Sequence, residues 1–195
     1  MSGKYKKLNI SEWNDWGLNF WGITKCGNTS IKKLLLKNNE KTIDEKAYRK
    51  FHAATHIKYI NISTALNNNN INFTLVRNPY DRFTSMYKDL VLKRPDLPIK
   101  CKYRTGRQNL SIDDFIKDIV LLSEDIHIKP QSSFLKGANN IQIFKLEEIN
   151  KLEKFLSAKI PLLNKSDGKI ELTAAQKEVI FDKYQEDFEQ FGYIK

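Results

Sequence analysis

Two short stretches of the sequence carry residue types suited to holding phosphate-like anions. The first is GITKCGNTS, residues 22–30, which joins an apolar-aromatic run at 18–23 (LNFWGI) to a helical pattern at 30–37 (SIKKLLLK). A glycine-bearing loop between a strand and a helix leaves backbone N–H groups at the helix start pointing outward, where the helix dipole favours negative charge. Thr29 and Ser30 add hydroxyl donors, and Lys25 adds a positive charge. The second is VRNPYDRFTSMY, residues 76–87. Arg77 stands where a strand over 71–76 ends, and Ser85 follows eight residues on, along the next helix. Open α/β sheets bind ligands at that edge. A guanidinium fork matches phosphate oxygens, and a serine hydroxyl completes the contact. Arg82 reads as an ion-paired or surface residue and Tyr87 as a core aromatic.

The first stretch has both glycines and the closing hydroxyl of the nucleoside-triphosphatase loop, G-x-x-x-x-G-K-[ST]. Asn28 replaces its lysine, however, and Lys25 lies three positions earlier. That loop needs its lysine on the β- and γ-phosphates. A nucleotide with one 5′-phosphate-linked group therefore fits better than a triphosphate. Cys26 reads as a small residue fitted to a tight loop, since a thiolate would oppose an anionic ligand.

Taken together, ITKCGNTS and VRNPYDRFTSMY resemble the two nucleotide motifs of sulfotransferases that use 3′-phosphoadenosine-5′-phosphosulfate (PAPS). The first is similar to their 5′-phosphosulfate loop, P-K-x-G-x-T/S, and the second to their 3′-phosphate element. Later segments, DDFIKDI, DIHIKPQSSFL, IFKLEEI and YQEDFEQFGY, resemble the Golgi carbohydrate sulfotransferases and their bacterial and viral relatives. The resemblance spans roughly residues 18–193. It implies a P-loop-like sulfotransferase core, PAPS as sulfuryl donor, no metal, and a hydroxyl acceptor on a glycan or glycoconjugate. It also implies roles. Lys25 and the backbone of Cys26, Gly27 and Asn28 hold the 5′-phosphosulfate, with Thr29 and Ser30 donating hydroxyls, and Arg77 and Ser85 hold the 3′-phosphate. Two departures are visible. Thr24 stands where proline is common, and Cys26, Gly27 and Asn28 do not follow the usual spacing of small residues.

Sulfuryl transfer in line needs stabilisation of charge on the bridging oxygen and a base for the acceptor hydroxyl. Lys25 and the helix start meet the first need. For the base there are three histidines, His52, His56 and His127. Some sulfotransferases acting on uronic acids place a histidine at a similar distance before the arginine, which makes His56, 21 residues before Arg77, the first choice. His127 is the base or an acceptor contact, His52 shares a helical face with His56, and Glu40 or Asp44 are carboxylate alternatives.

These residues need a frame of strands and helices. Strands at 18–23, 71–76 and 141–144 alternate with helices at 30–37, 79–92, 112–122 (capped by Ser111), 147–156 and from Thr173 to about Phe188. Such alternation predicts an α/β fold, a parallel sheet flanked by helices. With 195 residues, 41% hydrophobic and 29% charged, a single domain over 1–195 is expected. A long basic connection lies at about 93–110, where Lys100, Lys102, Arg104 and Arg107 steer an anionic acceptor or are simply solvated. Asn67, Asn68, Asn69 and Asn70 read as a polar loop, and Trp13, Trp16 and Trp21 mainly as packing.

Net charge is +10, and it is uneven: residues 1–107 hold 21 basic and 8 acidic side chains. The basic half points to an anionic ligand. No apolar run reaches bilayer length, the first residues lack the apolar core of a signal peptide, and two cysteines, Cys26 and Cys101, make no disulfide framework. A cytoplasmic protein without a membrane span is expected. Two rival readings are a P-loop nucleotide kinase, opposed by Asn28, and a non-enzymatic binder of nucleic acid or a sulfated glycan. No nucleic-acid motif with interleaved aromatics is present, and nucleic acid is not expected as a partner.

Overall fold

The parallel pairing that alternation predicts is present at the centre of the sheet. In the computed structural model, which describes residues 10–36, 57–93, 110–121, 126–161, 168 and 170–195, strand β2 (Leu18–Trp21) runs parallel to β4 (Ile71–Val76), with Leu18 opposite Ile71 and Trp21 opposite Thr74. Both strands are rich in aromatic and branched residues and lie buried along almost their whole length. The chain therefore leaves both at the same sheet edge.

Two further strands turn the sheet into a mixed one. β1 (Ile10–Trp13) forms an antiparallel hairpin with β2, and β3 (Lys58–Ile60) pairs antiparallel with β1. With β5 (Ile141–Lys145) the order is β3-β1-β2-β4-β5. The α/β class stands, and the antiparallel edge is an addition to the expected parallel sheet. Strands of three and four residues with one charge each give too short an alternation to be recognised alone.

The helices are α1 (Asn28–Leu36), α2 (Ile62–Asn67), α3 (Pro79–Tyr87), α4 (Ile112–Leu121), α5 (Ile149–Leu156) and α6 (Ala174–Phe191). Local chemistry sets their starts. Asn78 Oδ1 accepts from Tyr80 N–H ahead of Pro79, which needs no N–H partner. Ser111 Oγ accepts from Asp114 N–H, and Thr173 with Gln176 forms a capping box. Beyond Tyr87 the helix widens into a π-helical turn, Lys88–Leu92, closed by Lys93 N–H on Lys88 O. Asn67 ends α2, so only the rest of the asparagine run is loop.

The described residues divide into two compact units, each with its own core. The first draws on Met1–Ile23, Gly27–Leu75 and Phe134–Leu163. Phe20 and Phe73 stack at 5.1 Å in its centre, packed with Leu34 and Leu35 of α1 and Leu152 and Leu156 of α5. Fully burying an aromatic or aliphatic side chain of this kind contributes about 1.5–3 kcal/mol. The second unit draws on Thr24–Cys26, Val76–Ser133 and Asn164–Lys195. Here Phe83, Met86, Phe115, Ile180, Tyr184 and Phe188 form the core, with α3 and α4 both against α6. No described helix is long and apolar enough to cross a membrane.

Candidate functional site

In the first unit, the candidate residues lie at the turn into α1. Gly27 takes a φ of +72°, and a Cβ there would lie 3.1 Å from Leu75 Cδ2, so the position favours glycine twice over. The first helical bond runs from Ile31 N–H to Gly27 O at 3.1 Å. Asn28, Thr29 and Ser30 thus form the turn whose N–H groups point along the axis, away from the helix. The Asn28 side chain, where a triphosphatase loop has lysine, folds back over Gly22. A Cβ on Gly22 would sit 2.7 Å from Asn28 Oδ1, so the glycine makes room for that amide. Asn28 and Ser30 are buried. Four residues beyond Asn28, Lys32 is fully buried, with Nζ 3.2 Å from Tyr59 Oη and 4.9 Å from the ring centroid. Burial pulls its pKa down to about 8.

The second unit holds the remainder of the first stretch and all of the second. Lys25 adopts a φ of +66°, a left-handed conformation that costs a non-glycine residue about 1–2 kcal/mol. Its Nζ pairs with Asp89 Oδ2 at 2.7 Å, on the π-helical turn, and both side chains are largely buried. Arg77 Nη1 donates to Lys25 O at 3.5 Å, so the two stretches meet here despite lying 52 residues apart. Ser85 lies half-buried in the second turn of α3. Cys26 is buried, its S–H donating to Gln131 Oε1 at 3.0 Å, as suits a packed loop residue rather than a nucleophile.

Arg82 corrects the sequence reading. It is 1% exposed, and among the described residues it forms no ion pair. Its Nε donates to Thr24 O at 3.1 Å and its Nη2 to His127 O at 3.1 Å, so one guanidinium ties the loop to the histidine segment. The segment is held at further points, by Thr24 Oγ1 on Ile126 O (2.7 Å) and Tyr184 Oη on Ile128 O (2.8 Å). Burial pushes the Tyr184 phenol up to about 12, so it stays a donor. His127 is half-buried. His52, His56, Glu40, Asp44, Cys101, the basic residues Lys100, Lys102, Arg104 and Arg107 and most of the 93–110 connection lie outside the described residues.

Asp89, Gln131 and Asp187 escaped the sequence reading. Asp89 lies one helical turn beyond Ser85, and that spacing was the available signal. Gln131 and Asp187 gave none, since their partners are more than 50 residues away. At the start of β4, the cleft near Asn68, Asn72 and Asn140 is lined by amides and aliphatic groups without a titratable side chain. Among the described residues, no cluster of histidine, cysteine and carboxylate side chains suits a metal.

Comparison with known proteins gives one match. A family model described as "Sulfotransferase family" matches residues 14–166, well over half of the chain. No curated protein and no solved structure matches.

Proposed function

The chain belongs to the sulfotransferase family and is a sulfotransferase, and on that premise we propose that its donor is PAPS and its acceptor a carbohydrate hydroxyl. The whole chain acts as one catalytic domain in this reading. When bound, PAPS supplies a sulfuryl group activated by its bond to the 5′-phosphate. Lys25 and the backbone N–H groups of Cys26, Gly27 and Asn28, with the Thr29 and Ser30 hydroxyls, hold the 5′ end. Arg77 and Ser85 hold the 3′-phosphate. The supporting observation is the Arg77–Lys25 contact, in which the Arg77 guanidinium donates to the Lys25 backbone carbonyl and so ties the two motifs together. The left-handed turn at Gly27 fits the same reading, because it leads the backbone into the start of α1, where unpaired N–H groups favour an anion. Asp89 already occupies Lys25 Nζ, so an anion there competes with a carboxylate.

The test is calorimetry with adenosine 3′,5′-bisphosphate, AMP and ATP. A charge-assisted contact contributes about 1.5–3 kcal/mol, so the bisphosphate should bind roughly ten- to a hundredfold tighter than AMP. Arg77→Ala should erase that margin and leave AMP affinity nearly unchanged. Equal affinity for bisphosphate and AMP in the native protein sinks the donor assignment, and magnesium-dependent preference for ATP turns it to a phosphotransferase.

His56 serves as the base in this reading, drawing the proton from the acceptor oxygen. His56→Ala should lower kcat roughly 10²–10⁴-fold and spare bisphosphate affinity. In the native protein, kcat should fall as pH drops through about 6.5, where an ordinary imidazole gains its proton. An inactive His127→Ala beside an active His56→Ala would move the role to His127. Activity in both would pass it to Glu40 or Asp44.

A further inference from the structure

Arg77 is the first residue beyond β4, past the point where pairing with β2 has ended at Thr74. Gln131 bonds to its backbone there. Its Oε1 accepts from Arg77 N–H at 2.9 Å and its Nε2 donates to Arg77 O at 2.8 Å, the pair of bonds a neighbouring strand would make. The same Oε1 accepts the Cys26 S–H. One fully buried amide therefore bonds to the backbone of the arginine and to the loop beside Lys25. Its orientation is fixed, because Arg77 O and a carboxylate only accept, while Arg77 N–H only donates.

That carboxylate is Asp187, on α6 and 0% exposed. Asp187 Oδ2 accepts from Gln131 N–H at 2.8 Å and from Gln131 Nε2 at 3.4 Å, and Oδ1 accepts from Ser132 N–H at 2.8 Å. Among the described residues it makes no ion pair, so its charge is satisfied by N–H donors alone. A buried charge bonded in this way is costly to disturb. It also fixes backbone and side chain of Gln131 together. Helix α6 (Ala174–Phe191) lies beyond the family-matched residues 14–166, and all these partners belong to the second unit.

We infer that Asp187 and Gln131 are positioning residues for the nucleotide site. Asp187 on the C-terminal helix locks the Gln131 amide, and that amide fixes Arg77 and Cys26 in the geometry that receives the donor. The geometric part stands on the hydrogen bonds, and the part concerning the nucleotide rests on the function proposed above. In this arrangement α6 frames the site without touching the ligand.

The variants are Gln131→Met, which keeps length and removes the amide, and Asp187→Asn, which keeps shape and removes the charge. Two readouts apply to the full chain: amide hydrogen exchange at Arg77 and Ser132, and calorimetric affinity for adenosine 3′,5′-bisphosphate. Thermal unfolding identifies the variants that fold, and Gln131→Met decides if Asp187→Asn does not. Exchange at Arg77 should quicken about tenfold or more in Gln131→Met, and at Ser132 in Asp187→Asn. Bisphosphate affinity should fall about tenfold in both, with Asp187→Glu recovering part of it. A purely structural role would lower the unfolding temperature and leave the affinity of the folded variants intact. A folded Gln131→Met with native exchange at Arg77, a folded Asp187→Asn with native exchange at Ser132, or either with native bisphosphate affinity where the native protein binds it, overturns the inference. A native protein that does not bind the bisphosphate defeats the donor reading instead, and the exchange arm then decides the positioning role.

Discussion

The two units bury polar groups to different ends. In the first, most of those described are neutral, and the amides of Asn19 and Asn72 tie strands to each other and to α2. Asn19 Nδ2 donates to Ala65 O, Asn68 Oδ1 and Asn72 Oδ1, and Trp21 Nε1 donates to that same Asn72 oxygen. Lys32, a buried cation, is an exception, and it is set against the hydroxyl and ring of Tyr59. In the second unit the buried groups include two full charges, Arg82 and Asp187, and their hydrogen bonds run mainly to backbone atoms of Thr24, His127, Gln131 and Ser132. The difference follows from what is being held. Strands hold each other by their own ladders, so side-chain amides need only close the gaps. Loops have no ladder, and charge-assisted bonds to the main chain, each stronger than a neutral one, replace it.

The sharpest way to break this contrast is Arg82→Leu. It strips donors from two carbonyls in a buried setting, and stability should fall by roughly 2–5 kcal/mol in denaturant unfolding. Bisphosphate affinity should fall with it, since the loop carrying Lys25 loses its tie. An Arg82→Leu protein with native stability and affinity would show that the loop is held by other means.

A pH series probes the first unit. The Lys32 pKa is lowered to about 8 by burial. The unfolded chain, with an ordinary lysine, binds more protons between about 8 and 10.5, so stability should rise with pH across that window. The rise is at most about 3 kcal/mol, and the cost of burying the charge is fully present below pH 8. Lys32→Met should flatten that slope in unfolding curves at pH 7.5, 9 and 10. An unchanged slope would assign it to other groups.

The smallest expected effect is at Asp89. Asp89→Asn removes the carboxylate that competes for Lys25, and bisphosphate affinity should tighten by roughly two- to fivefold in calorimetry. Weaker binding would mean that the pair orients Lys25 rather than restraining it.

Much of the frame was legible from local pattern. β2 and β4 announced themselves by dense apolar runs, and α3, α4 and α6 by proline, serine and threonine at their starts. The antiparallel edge was not legible, because β1 and β3 are stabilised by pairing rather than by their own composition. Helix α2 has six residues, too few for a period to emerge. Arg82 was misjudged because charge alone suggests solvent, whereas two distant carbonyls make its burial tolerable.

By itself the sequence marked the glycine-bearing loop at 22–30, the Arg77 and Ser85 stretch and their order, and the resemblance they carry agrees with the family. Those are local signals, carried by residue types within one turn or one helix of each other. Tertiary structure alone decided that Lys25 meets Asp89, that Arg82 clamps Thr24 and His127, and that Asp187 and Gln131 stand behind Arg77. Each of these bonds joins residues 45 to 64 positions apart. No spacing rule reaches so far, because such partners are chosen by where the folded chain returns and by the cost of leaving a buried donor or acceptor unmet.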